Sequence, residues 1–136
     1  MENNKAKSLS NVFVTDTFSW PILAELAGVC LMHYSYASPI IEGDAETLAE
    51  EIAMQIASQA QIQGQDPTDT KARTKVEFTA PVWAVCFIAS ILAECPDAAC
   101  QSGFYNPHVA QFARKALAVL EDKKQDPDEL PGFRLN

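Results

Sequence analysis

The sequence predicts a mainly α fold: a compact, four-helix bundle-like single domain carrying one short β pair at residues 12–15 and 75–79. Three observations point there. Apolar residues recur at three- and four-residue steps over four long segments. Proline, aspartate or asparagine stands where each segment begins. Two short stretches of β-branched and aromatic residues fall between those segments, too brief and too alternating to be helical.

Residues 1–10 are polar and read as a flexible arm, unlike a secretion signal, ahead of a helical domain over 11–124. Asn11 to Thr15 suits a strand. Ser19-Trp20-Pro21 then opens the first helix, with serine as cap and proline in the first turn, where its missing N–H has no intrahelical partner. That helix runs to about Ser35. Leu23, Leu26, Ala27, Cys30 and Tyr34 form one face, and Ile22, Val29 and Met32 a second, so it is expected deep in the bundle. Gly28 in its interior suggests a closely approaching neighbour.

Ser38-Pro39 breaks the pattern, and Asp44 caps a second helix to about Gln63. Its inner stripe is Ala45, Leu48, Ala49, Ile52, Ala53, Ile56, Ala57 and Ala60. Met54 and Ile62 lie off that stripe. Val76 and Phe78 mark the second strand. Pro81 opens a third helix through about Cys95; the β-branched run Val82 to Ile88 also fits a buried strand, but length and the following alanines favour helix. Pro96 ends it, because proline disfavours helical backbone at the residue before it. A single turn over Pro96 to Cys100 is expected, then release at Gly103, with Phe104 and Tyr105 packed inward. Asn106-Pro107 opens the last helix, whose stripe is Val109, Phe112, Ala113, Ala116, Leu117 and Leu120. Residues 125–136 form a tail in which Phe133 and Leu135 are the only large apolar groups besides Leu130.

Composition narrows the function classes. With 18 acidic and 10 basic residues the net charge is −8, so the chain repels nucleic-acid phosphates on average and direct nucleic-acid binding is not expected. The uncharged runs Leu26 to Ile41 and Phe78 to Ala93 fall short of the roughly 20 residues that span a bilayer. Cys30, Cys86, Cys95 and Cys100 are irregularly spaced and make no disulfide framework, which suits a reducing cytoplasm.

The stretch Glu94 to His108 holds two of the cysteines and one histidine. Zinc needs four ligands at recurrent spacings. Here only Cys95, Cys100 and His108 are local, with His33 remote in sequence, so the stretch reads as a corner between helices. No metal, cofactor or catalytic residue is assigned. Cys100 with His108 lacks an orienting group, and no Glu-x-x-His accompanies the acidic residues. The expectation is a non-enzymatic binding protein. Glu42, Asp44, Glu46, Glu50 and Glu51 would form an acidic face for a protein partner with a basic surface, including one that itself binds nucleic acid. Two alternatives stand beside it. One is a small-molecule binder or small enzyme with a pocket between helices, drawing on Trp20, Tyr34, Tyr36, Trp83 and Phe104. The other is a structural subunit that self-associates through Met54, Ile62 and outer helix faces.

Overall fold

A computed structural model describes residues 12–69 and 71–124, the last three of these by backbone alone. The expected arm at 1–10 and the tail at 125–136, with Phe133 and Leu135, lie outside the described residues. The order is β1 (Phe13–Ser19), α1 (Trp20–His33), a 3-10 turn (Tyr34–Tyr36), α2 (Ala45–Ile62), β2 (Lys75–Pro81), α3 (Val82–Glu94), α4 (Ala98–Phe104) and α5 (Pro107–Lys124). The fold is mainly α with one antiparallel β pair, as the periodicity predicts. Among the described residues, no helix is long and apolar enough to cross a membrane.

The strands pair with Val14 opposite Ala80, Asp16 opposite Phe78 and Phe18 opposite Val76. They are longer than expected because Asp16-Thr17-Phe18 continues the alternation that Val14 begins. Val14, Phe18, Val76, Phe78 and Ala80 are buried on one face. On the other face the Thr15 and Thr79 hydroxyls meet at 2.7 Å.

A two-stranded pair has two unpaired edges, and both are occupied. On β2, the Gln59 amide donates to the Thr79 carbonyl at 2.7 Å and accepts from the Thr79 N–H at 2.8 Å. Gln63 does the same for Glu77, at 2.7 and 2.8 Å. Two side-chain amides one helical turn apart thus stand in for a third strand, removing the pairing template that an open edge presents. On β1, Lys115 Nζ donates to the Thr15 carbonyl at 3.1 Å and lies 3.2 Å from Asp16 Oδ2. That carboxylate oxygen is buried without an aligned hydrogen bond, so the lysine charge is what compensates it.

The third helix is the core. Eight residues of α3, from Val82 to Leu92, are buried, which is why its apolar positions show no single face. The expectation that α1 is equally central fails. Its inner residues Trp20, Leu23, Leu26, Val29 and Cys30 are buried, but Leu31 and Met32 face outward, Met32 with 74% of its surface exposed. Ser19 occupies the N-cap position of α1, yet its side chain makes no cap bond; Pro21 in the first turn supplies the start signal. Asp44 is a true cap, its carboxylate accepting from the Thr47 N–H at 3.2 Å.

The corner after α3 also differs from expectation. Gly103 does not release the chain: α4 runs from Ala98 through Phe104, and Phe104 and Tyr105 are exposed rather than packed. The close helix approach expected at Gly28 occurs at Gly103 instead. A Cβ on Gly28 would meet nothing within 4 Å, whereas one on Gly103 would lie 3.0 Å from Leu92 Cδ2. Gly28→Ala should therefore raise stability by about 1 kcal/mol, the ordinary gain of alanine inside a helix. Gly103→Ala, crowding buried Leu92, should fall at least about 1 kcal/mol below it. Urea midpoints of the two variants measured side by side check this ordering.

Candidate functional site

Two groups of side chains could carry function: the outer face of α2, and the junction of α1, α3 and α4.

On α2, Leu48, Ala49, Ile52, Ile56 and Ala60 are buried, which turns Thr47, Glu50, Glu51, Met54 and Ser58 outward on the opposite side. These residues, with Gln55 and Gln59, line an open, shallow depression. Met54 sits in it with 71% of its surface exposed. The five acidic residues singled out from sequence divide into three groups. Glu50 and Glu51 line the depression, and Glu46 is exposed one turn earlier on the same helix. Glu42 is exposed in the loop before the helix. Asp44 is engaged as the N-cap and is less free than the others. Among the described residues, none of the five makes an ion pair within the chain.

The second group is built by the corner itself. Cys95 is the C-cap of α3, its N–H bonded to the Ile91 carbonyl at 2.8 Å, and its backbone turns extended ahead of Pro96. Asp97 then caps α4, Oδ1 accepting from the Ala99 N–H at 2.9 Å. Cys100, in the first turn of α4, points inward and is fully buried. The last turn of α1 brings His33 to the same place. One ligand atom each from His33, Cys95 and Cys100 lies within 4.8 Å of the other two. His33 Nε2 is also 3.6 Å from Asp97 Oδ2. The stretch is a corner between helices, and His33 belongs to it although remote in sequence, because helix packing closes a gap of more than sixty residues. His108, the histidine that is local in sequence, is exposed at the start of α5 and takes no part in this cluster.

Burial raises three of the thiols, Cys30, Cys86 and Cys100. It pushes Cys30 up to about 12, with neighbouring Cys100 adding to the rise. Cys100 also rises to about 12, first through burial, then through its hydrogen bond with the neighbouring Cys95 thiol and the nearby carboxylates of Asp97 and Glu25. Half-buried Cys86 is raised by burial alone. All four cysteines are free thiols. The Cys30 shift fixes a sign. In the unfolded chain this thiol ionises near about pH 8.5. The stability due to keeping it neutral is therefore present below that pH and lost as pH climbs towards 12. Urea midpoints should fall from about pH 9 upward, and fall less steeply in Cys30→Ala.

Of the aromatic residues proposed from sequence to line a pocket, Trp20 and Trp83 are core residues. Phe104 lines a groove of about 450 Å³ between α3 and α5, together with Phe112, Leu117 and Arg114. Leu117, counted in the inner stripe of the last helix, is 55% exposed along it. No family model, curated protein or solved structure matches the chain.

Proposed function

We propose that the chain is a non-enzymatic binding protein that docks through the outer face of α2 on a basic surface of a protein partner, as an inhibitor, adaptor or accessory subunit. The observation that carries this reading is Met54: a large, flexible apolar side chain, 71% exposed, with Glu50 and Glu51 beside it on one helix face. An apolar anchor rimmed by charged and polar groups is the usual anatomy of a binding hot spot. Methionine adapts to the surface it meets, and the carboxylates steer a cationic partner and exclude acidic ones. The overall charge of −8 acts in the same direction at longer range. A partner that normally holds nucleic acid has the surface this face complements. Four free thiols suit work in the reducing cytoplasm.

The test is affinity capture by the full chain from native lysate at low and high salt, with the captured proteins identified. A basic protein held at low salt, released at high salt, and lost with Glu46→Lys/Glu50→Lys and with Met54→Ala is the expected result. Capture that survives both variants would remove α2 from the function.

The groove between α3 and α5 favours a second reading. Its walls are apolar, and Arg114 is the cation along it, so a small apolar anion is the ligand it suits. Medium-chain carboxylates should then raise the melting temperature of wild type and not of Arg114→Ala. The first reading expects no such shift.

A further inference from the structure

We propose that His33, Cys95 and Cys100 form a binding site for a soft divalent cation of the zinc class, clipping the end of α1 to the corner between α3 and α4. The inference is independent of the α2 docking face. It rests on donor type, spacing and enclosure. Two thiols and an imidazole are the donors that zinc prefers over oxygen-only sites. In a tetrahedral site with Zn–S near 2.3 Å and Zn–N near 2.0 Å, neighbouring donor atoms stand about 3.5 to 3.8 Å apart. The three donors here already lie within 4.8 Å of one another, so side-chain rotations of a few tenths of an ångström to an ångström close the site. Cys95 and Cys100 are buried and His33 half-buried, which shields the site from competing water.

Asp97 lies outside this mutually close set, which leaves the fourth position to a solvent molecule. Asp97 Oδ2 is 3.6 Å from His33 Nε2, where a carboxylate orients the ligating imidazole. Its other oxygen stays on the Ala99 N–H, which fixes the carboxylate in place. On binding, the Cys95 and Cys100 thiols release their protons to solvent, two sulfur–hydrogen bonds giving way to two sulfur–metal bonds; His33 enters as neutral imidazole. The ligands come from the end of α1, the C-cap of α3 and the first turn of α4, so the ion would reinforce the contact of α1 with the corner.

Cobalt(II) titrated into the reduced full chain is the direct probe. One equivalent should produce thiolate-to-cobalt charge-transfer absorption and tetrahedral ligand-field bands, both displaced by zinc. Zinc should raise the melting temperature by several degrees. Cys95→Ser, Cys100→Ser and His33→Ala should abolish the tight equivalent. Asp97→Asn, which keeps the helix cap, should weaken it roughly 10- to 100-fold. Cys86→Ser and His108→Ala should bind as wild type does. Because a buried-cysteine variant can fail to fold, wild type alone also decides. In amide NMR spectra, zinc should shift resonances around His33 and across 95–100 while leaving α5 and its His108 in place. A cobalt spectrum without charge transfer, or zinc shifts centred away from these residues, would overturn the site.

Discussion

Phe112→Ala should cost about 3–5 kcal/mol of folding stability, the largest loss expected from a single side chain here. Phe112 is the bolt between α5 and the β pair. Its ring meets Phe18 edge-on at 5.2 Å and Phe78 at 5.9 Å, one aromatic from each strand. All three are buried. Truncation removes the transfer energy of a full ring and the aromatic geometry, each such pair being worth about 0.5–1.5 kcal/mol beyond its area. The cavity cannot collapse easily, because β1 is held to α5 at a second point by Lys115. Phe112→Leu keeps most of the volume and should cost under about 2 kcal/mol. Urea denaturation of both variants measures the difference. A Phe112→Ala loss no greater than that of Phe112→Leu would mean that the ring does not join these elements.

The three aromatics show what a single sequence reveals and what it withholds. Two were legible as apolar residues on a periodic face, Phe78 in the strand alternation and Phe112 in the stripe of the last helix; Phe18 lies beyond the expected strand end at Thr15. Their convergence was not, because period-2 and period-3.6 patterns say which way a side chain faces and not which element it meets. The same limit explains the corner. Cys95, Pro96, Asp97 and Cys100 were readable as a helix end and a cap, since those signals are local. His33 joins them only because α1 packs against α4, a tertiary event without a signature in spacing. The exposed Met32 and Leu31 mark another boundary. The apolar pattern of α1 exceeds what the bundle buries, so hydropathy alone overstated how central that helix is. On α2 most of the division was legible: Leu48, Ala49, Ile52, Ile56 and Ala60 are buried and Glu46, Glu50 and Glu51 exposed, while Ala45, Ala53 and Ala57 of the expected stripe are only half-buried and Gln59 turns to the strand.

Gln59→Leu is the second large effect, about 2–4 kcal/mol, and it follows from what α2 does for the sheet. Gln59 satisfies both backbone groups of Thr79 from a partly buried position. Leucine fits the space but leaves an N–H and a carbonyl without partners and keeps water away from them, at about 1–3 kcal/mol for each. Gln63 makes the same pair of bonds to Glu77 in an exposed position, where water can replace the amide. Gln63→Leu should therefore cost under about 1 kcal/mol. Gln59→Glu separates the donor from the acceptor. A carboxylate still accepts from the Thr79 N–H but faces the Thr79 carbonyl oxygen without a proton to share, so the folded chain favours the protonated acid and raises its pKa. The stability recovered by protonation is present below the ordinary glutamate range near about 4.3 and lost as pH rises through the raised folded value. Urea midpoints of Gln59→Glu should thus approach those of wild type at about pH 4 and fall well below them at pH 7. Equal losses for Gln59→Leu and Gln63→Leu, or a Gln59→Glu variant whose deficit ignores pH, would show that these amides merely rest on the strand instead of completing it.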